Sequence, residues 1–350
     1  MLQDLRCIPM LPVMQVGRVR PGAPPEHDVL HPVGGGLGQA RPTNNIGIHS
    51  KIFIVMNLPF LKSSLPSLFL ALFGLSLEAA QAPAPRSRAA VDAILKSPAP
   101  DSPAPRPLHI LLVAGPKDHG PGEHDYPKWQ KDWAPLLAKA PGVKVSTAFP
   151  WPENHQWDGV DLVVFYLKTK WDSNQVAQIR RHQGKGGGVA TIHWAIGCDQ
   201  DWPNHAHCFG LSYKAASYRH GPVKLKLTVP DHPITRGLPP LMDFVDEPYW
   251  PFIGDTNRIE ILATSDEMIY RGDDRARNPG DDTVQSVPVF WAYQPPGTSA
   301  RVFVSIFGHY SWTFDDPYFR LLMLRGMAWA AKESPRRFDA LAIEGVPLVP

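Results

Sequence analysis

"GGGVATIH", residues 186–193, is a glycine run that leads into a short apolar stretch and ends on a histidine. A continuous apolar run of this length is typical of a strand that is buried on both faces of a parallel sheet. Several α/β enzymes present a catalytic serine or cysteine on the turn that follows such a strand. Here the turn carries His193, and an imidazole can serve as an acid, a base or a metal ligand.

Similar runs lie on both sides of this strand in the sequence. Before it, the pattern predicts strands at 108–115, 143–149 and 160–166 and helices at 126–140 and about 173–183. After Gly221 the pattern alternates, and we expect strands at 223–229, 259–265, 287–293 and 300–307, then a helix at 317–332.

This order of elements predicts an α/β fold. We expect one domain over residues 108–333, built on a mostly parallel sheet of about six to nine strands that is flanked by helices and extended by antiparallel strands. The whole sheet is of the flavodoxin type, in which ligands bind at the carboxyl ends of the parallel strands.

The composition excludes several classes of partner. The formal net charge of the 350 residues is +2, and the sequence contains no run of Lys or Arg, so we expect no nucleic acid and no anionic membrane surface. No GxGxxG motif follows the first strand, so we expect no bound NAD. The three cysteines form no disulfide framework, although a pair between Cys198 and Cys208 stays open if the protein is exported.

The ends of the chain differ in texture from the domain. Residues 1–55 are rich in Pro and Gly, which predicts a disordered leader or sequence upstream of the true start codon. Residues 56–82 have the layout of a signal peptide, so we expect an exported protein if translation starts at Met56 and a cytoplasmic one otherwise. Residues 83–107 are predicted to form a Pro/Ala linker around one short helix, and residues 334–350 a tail.

Several candidate site residues fall where the predicted parallel strands end. His119 and His124 follow the first strand, Tyr166 ends the third, and His193 follows the fourth. Because the carboxyl ends of parallel strands share one edge, we expect these four side chains to lie close together. His193 is the strongest candidate, while His119 and His124 are either metal ligands or exposed loop histidines.

Three further groups are candidates by residue type. His205 and His207 form an HxH pattern, which on an extended segment places both rings on one face, as a metal site requires. Glu247 is our choice as proton carrier or metal ligand from the adjacent pair Asp246–Glu247, with a solvated turn as the alternative. Aromatic rings suited to stacking on a sugar are those of Trp194, Trp250 and Trp312.

Four stretches occur together in a characteristic order. They are "GGGVATIH", "DHPITRGLP" (231–239), "DEPYW" (246–250) and "GHYSWTFDDPYFRLLMLRGMAWAA" (308–331). Together they resemble the ThuA-like, or trehalose-utilisation, family, which is similar in fold to the class I glutamine amidotransferases. The resemblance covers about residues 108–333. By the family pattern, the loop with His309 and Trp312 faces the same pocket as His193.

The resemblance carries implications about function. The amidotransferases have a nucleophilic cysteine where this chain has His193, so amidotransferase chemistry is not implied, and Cys198 lies too far along the chain to replace that thiol. The family is associated with sugar catabolism, and the resemblance implies action on keto-sugar intermediates together with a sugar dehydrogenase.

We therefore expect an enzyme that acts on a keto-sugar or glycoside by acid/base chemistry through His193, Glu247 and His309, as an isomerase, lyase or hydrolase. A divalent metal such as Zn²⁺ would stabilise a developing oxyanion. Two alternatives stay open at this point. One is a non-catalytic, exported carbohydrate-binding module, and the other is a metal-dependent hydrolase of another substrate class.

Overall fold

The computed structural model describes residues 81–97, 104–198, 201–269 and 283–350. The predictions of a leader at 1–55 and, except for its last two residues, of a signal-peptide-like segment at 56–82 lie outside these ranges. Within the described ranges, no helix is both long enough and apolar enough to cross a membrane.

Helices and strands alternate along the first half of the described chain. The elements are β1 (Arg86–Ser87), α1 (Arg88–Leu95), β2 (Leu108–Ala114), α2 (Tyr126–Ala138), β3 (Val143–Ala148), β4 (Leu162–Tyr166), α3 (Ser173–Gly184) and β5 (Gly188–Ile192). A 3₁₀ helix at Asn154–Trp157 precedes β4, and another at His193–Ile196 follows β5. The predicted strands and helices of this half are confirmed to within a few residues.

Strands dominate the second half. The elements are α4 (Trp202–Phe209), β6 (Leu211–Tyr218), β7 (Gly221–Leu227), β8 (Leu241–Asp246), β9 (Tyr249–Gly254), β10 (Ile259–Ile269), β11 (Thr283–Tyr293), β12 (Val302–Ser305), α5 (Pro317–Ala330) and β13 (Leu348–Val349). Short 3₁₀ helices lie at Thr256–Arg258, Ser311–Asp315 and Pro335–Ile343. Of these elements, α4, β6, β8 and β9 have no counterpart among the predicted ones.

Nine strands form the main sheet, in the order β3-β2-β4-β5-β12-β11-β10-β7-β8. The five strands from β3 to β12 are parallel to one another, and each later neighbour pairs antiparallel. Strands β6 and β9 form a separate antiparallel pair. The predicted α/β fold, with a parallel core and added antiparallel strands, is confirmed.

Close packing of α5 on the parallel core explains part of the opening glycine run. A Cβ atom on Gly188 would lie 2.2 Å from the backbone oxygen of Ala330, and one on Gly187 would lie 2.2 Å from the ring of His182. Both distances are far below van der Waals contact, so a side chain at either position would force helix and strand apart. These two glycines therefore allow the backbones to approach, rather than bend a turn.

The two ends of the described chain also pack against the domain. Helix α1 buries Val91 and Ile94 in the core, and β1 pairs in parallel with β13. In the segment after α5, Asp339 accepts two hydrogen bonds from the buried Arg325, at 2.9 and 2.8 Å. The expectation of an exposed linker is therefore wrong for α1, and so is that of a tail outside the domain, because apolar and paired charged side chains anchor both segments.

Candidate metal centre

Four buried side chains converge beyond the carboxyl ends of the parallel core. His124 follows β2, His193 follows β5, His309 follows β12, and Glu247 follows the antiparallel strand β8. One nitrogen or oxygen atom from each lies within 4.8 Å of all the others, so the four could hold a metal ion. The edge rule for parallel sheets thus brought the three histidines together as expected.

The contacts around this cluster are short. His124 Nε2 lies 2.9 Å from His193 Nε2 and 3.0 Å from His309 Nδ1. On the other side, Glu247 Oε2 lies 3.1 Å from His193 Nε2 and 2.8 Å from His309 Nδ1. Each histidine therefore directs one ring nitrogen at the same small volume, which the carboxylate closes.

The outer nitrogens decide which protons point inward. His193 Nδ1 lies 2.6 Å from the carbonyl oxygen of Ile306, which can only accept, so this nitrogen carries the proton. His124 Nδ1 likewise donates to Asp118 Oδ1 at 2.9 Å. The two Nε2 atoms therefore face each other with lone pairs, an arrangement that a shared cation stabilises. A carboxylate or carbonyl behind each imidazole is typical of metal-binding histidines.

The protonation states suit a cation as well. Burial raises the pKa of Glu247, but hydrogen bonds and the charges of His193 and His309 outweigh it and hold this pKa well below its usual range. Burial is the main cause that lowers the pKa of His124 to about 3. Near neutral pH the cluster therefore offers a carboxylate and a neutral imidazole, which are the ligand forms of these groups.

The backbone at two of these histidines adopts an uncommon conformation. His193 has φ 55° and His124 has φ 41°, both in the left-handed region that residues other than glycine seldom occupy. Hydrogen bonds hold the His124 loop in place, since His124 N–H donates to the His309 carbonyl and Ser311 N–H to that of Gly122. Strained turns of this kind are typical of functional sites.

Asp246 fixes the turn that carries His309. Its buried carboxylate accepts hydrogen bonds from the backbone N–H groups of Gly308 and His309, each at 3.1 Å, and from the Thr313 hydroxyl at 2.6 Å. It also accepts one from the N–H of Glu247, at 2.8 Å. Of the two adjacent carboxylates, Glu247 enters the cluster as expected, while Asp246 positions the residues around it.

Tyr249 is a member of the site that sequence reasoning missed. Its hydroxyl lies 2.6 Å from His193 Nε2 and 3.1 Å from Glu247 Oε2, and its ring stacks on Tyr213. Trp250, the predicted sugar contact, is 4% exposed and points away from Tyr249, because successive strand residues face opposite sides. The alternation within "DEPYW" was the signal that could have identified Tyr249.

The other predicted sugar contacts differ in exposure. Tyr166 is buried, and its hydroxyl donates to the Gly308 carbonyl at 2.5 Å, so it supports the turn instead of facing a substrate. Trp312 is half-buried and stacks on Tyr310. Trp194 is also half-buried, with the Lys168 ammonium 4.8 Å from its ring centre. Trp194 and Trp312 are thus the two that remain accessible in part.

Half-exposed polar groups form a rim around the cluster, which we define as His119, Glu123, Lys168 and His220. His119 bonds Asp118 at 2.9 Å, while Glu123 lies 3.8 Å from the outer nitrogen of His309. His220 Nε2 lies 3.4 Å from the second oxygen of Glu247, and the His220 side chain is 43% exposed. Of the two predicted loop histidines, His124 therefore enters the cluster and His119 belongs to the rim.

The expectation that His205 and His207 form an extended HxH metal site is wrong. Both lie on helix α4, where residues two apart point to different sides. His205 is buried between Trp171 and Phe209, and His207 is half-buried. In the part of the chain that the structure describes, neither belongs to a group of three potential ligands.

Fold and site together define an α/β protein with a buried cluster of three histidines and one carboxylate at the carboxyl end of its parallel core. The chain matches the family model ThuA, described as trehalose utilisation, over residues 127–330, which is more than half of its length. It belongs to this family, and the resemblance seen in the sequence is confirmed. A search of curated proteins found no match.

Solved structures give weaker likenesses. A ThuA-like protein from Parabacteroides merdae is 20% identical with a TM-score of 0.46, and covers 64% of this chain and 90% of its own. One from Bacteroides uniformis is 15% identical with a TM-score of 0.48, covering 68% and 99%. A GMP synthase protein from Thermoplasma acidophilum is 14% identical with a TM-score of 0.37, covering 67% and 94%. These scores are low, so the family assignment rests on the family model.

Proposed function

We propose that the chain is an enzyme of sugar metabolism that uses a divalent cation, held by His124, His193, His309 and Glu247, for acid/base chemistry on a keto-sugar or related glycoside. The observation that carries the proposal is the buried cluster itself, in which lone pairs of two imidazoles and a carboxylate oxygen converge. The family description, trehalose utilisation, supports a sugar as the substrate class.

The residues present fit a cation. Three imidazole nitrogens and one carboxylate oxygen form a donor set that suits Zn²⁺ and other divalent first-row metals. Asp118 and the Ile306 carbonyl orient two of the rings from behind. A bound cation would polarise a substrate carbonyl oxygen or lower the pKa of a coordinated water.

The roles of the predicted catalytic residues change in this proposal. His193, Glu247 and His309 face one another and serve as ligands, so proton transfer falls to a group of the rim. His220 is the best placed, because its Nε2 is accessible and lies beside Glu247, while its Nδ1 is 2.9 Å from the Tyr310 hydroxyl. Removal of the acidic C–H proton next to a keto group gives an enediol, which leads to isomerisation or elimination.

Aromatic surface next to the rim suits a carbohydrate. Tyr218 is 57% exposed and contacts the His220 ring edge-on, and Trp194 lies beside His124. Sugars present C–H faces to such rings and hydroxyls to polar neighbours. A sugar dehydrogenase would supply the keto-sugar, and export of the protein remains part of the proposal.

Elemental analysis and turnover assays test the proposal on the full chain. We expect one bound divalent metal, and turnover of at least one member of a panel of 3-keto-glycosides that a chelator abolishes and added metal restores. His193→Ala should lose both metal and turnover. The matched control is His155→Ala, which changes a histidine that is 74% exposed and remote from the cluster.

Three outcomes would contradict the proposal in different ways. Full turnover by a metal-free preparation would remove the cation from the mechanism. Sugar binding without turnover by the metal-loaded chain would favour a carbohydrate-binding module. Metal-dependent hydrolysis of a non-sugar substrate, with the sugar panel inactive, would favour a hydrolase of another class.

A further inference from the structure

We infer that the cluster is shaped for a six-coordinate cation with open positions, and not for tetrahedral zinc. This inference rests on the proposed function in so far as the cluster must hold a cation. It goes beyond it because the spacing of the four ligand atoms specifies how such a cation would be coordinated.

Neighbouring ligand atoms are spaced for right angles. Metal–ligand bonds of about 2.1 Å place two ligands about 3.4 Å apart at a tetrahedral angle and about 3.0 Å apart at a right angle. The four neighbouring contacts measure 2.9, 3.0, 3.1 and 2.8 Å. With these bond lengths they correspond to angles of roughly 85–95°.

The atoms that face each other across the cluster give the second constraint. Both residues belong to the described ranges, and His124 makes no ion pair with Glu247 within 4.0 Å, although their ligand atoms lie within 4.8 Å of each other. With bonds of about 2.1 Å, a separation above 4.0 Å requires an angle of more than roughly 145°. His124 and Glu247 therefore form a trans pair, which a tetrahedron does not contain.

Hydrogen bonds outside the cluster resist a rearrangement to a tetrahedron. The Ile306 carbonyl holds the ring of His193, Asp118 holds that of His124, and Asp246 holds the backbone of His309. Such outer contacts fix both the tautomer and the orientation of a ligand. The near-right angles are therefore a property of the folded chain around the site.

This geometry has a consequence for chemistry. Four protein ligands complete a tetrahedral site, and closed sites of that kind are structural. In an octahedron the same four ligands leave two positions, which water or substrate oxygens can take. The site thus suits Mn²⁺, Fe²⁺, Co²⁺ or Ni²⁺ and remains able to bind a substrate.

The absorption spectrum of the Co²⁺-loaded full chain tests the inference without an activity assay. Six-coordinate Co²⁺ gives weak visible bands, whereas tetrahedral Co²⁺ gives intense ones. We expect weak bands that shift when azide, a small anion that binds open metal positions, is added. Intense tetrahedral bands, or a spectrum that azide leaves unchanged, would overturn the inference while leaving metal binding in place.

Variants assign the spectrum to the cluster. Glu247→Ala should abolish the bands, and Glu260→Ala, which removes a half-exposed carboxylate elsewhere, should keep them. Bands that survive Glu247→Ala would come from another site and overturn the inference. If neither Co²⁺ nor Zn²⁺ binds to the wild-type chain, the proposed function fails as well, so the two failures are distinguishable.

Discussion

The parallel and antiparallel halves of the main sheet contribute different chemistry to the same cluster. The parallel half supplies three histidines, each just beyond the end of a strand, namely β2, β5 or β12. The antiparallel half supplies Glu247 after β8, and the neighbouring β9 supplies Tyr249. The nitrogen ligands thus come from one half and the carboxylate, with its hydroxyl neighbour, from the other.

The comparison shows that only one half follows a simple rule of placement. In the hydrogen-bonded order, β8 lies four strands beyond β12, which in a flat sheet would be about 19 Å. Asp246 at the end of β8 nevertheless bonds the backbone of Gly308 at 3.1 Å. The antiparallel half must therefore curl back over the carboxyl ends of the parallel half, and its carboxylates fix that closure.

Removing the carboxylate that joins the halves should have the largest effect. Asp246→Ala leaves several buried donors around Gly308 unpaired, and we expect a loss of roughly 3 kcal/mol or more in the free energy of unfolding. Urea denaturation measures it. The matched control on the same strand, Asp243→Ala, removes a carboxylate that is 77% exposed and should cost less than about 0.5 kcal/mol. Equal losses would show that Asp246 does not join the halves.

Packing inside the parallel half should give the next largest effect. Gly188→Ala places a methyl group against the Ala330 carbonyl, and we expect a cost of about 1–3 kcal/mol by the same measurement. Gly184→Ala, at the end of α3, meets nothing within 4 Å and should be neutral or slightly stabilising. A neutral Gly188→Ala would contradict the view that the glycine run serves helix packing.

Two stacked tyrosines allow a sharper test of the antiparallel half. Tyr249→Phe removes the hydroxyl beside His193 and Glu247 and should weaken metal binding by about tenfold, as loss of an outer contact does. Tyr213→Phe removes a hydroxyl of the same stack that bonds the Ser217 carbonyl, and should leave affinity unchanged. Competition with a chelating dye measures both. Equal affinities in the two variants would assign Tyr249 to packing alone.

The smallest expected effect concerns pH and lies outside the cluster. Burial lowers the pKa of His205 to about 3. Between about pH 6.5 and 3 the unfolded chain therefore binds a proton at this residue that the folded chain does not, so stability is complete above that window and falls as pH falls, by up to about 1.4 kcal/mol per pH unit. His205→Phe keeps the aromatic contacts and should flatten this slope by up to one proton. An identical slope in unfolding curves measured from pH 7 to 4 would contradict it.

The parts of the fold and site that the sequence predicted share a physical reason. Buried parallel strands read as continuous apolar runs, and their ends meet at one edge, so His124 and His193 could be placed together from order alone. Helix α4 and the strands β8 and β9 lack such runs, so HxH was assigned to an extended segment and Tyr249 was overlooked. Segments α1 and 335–343 are too short for a pattern to reveal that they pack on the core.

By itself, the sequence determined the α/β class, the family and the histidine at the turn after β5, because hydrophobic periodicity and motif order are local properties. Tertiary structure alone decided that Glu247 closes the cluster, that Asp246 holds the His309 turn, and that ligand atoms meet at near-right angles. These features depend on curling of the antiparallel half over the parallel one, which hydrogen bonds between distant residues fix and no local pattern encodes.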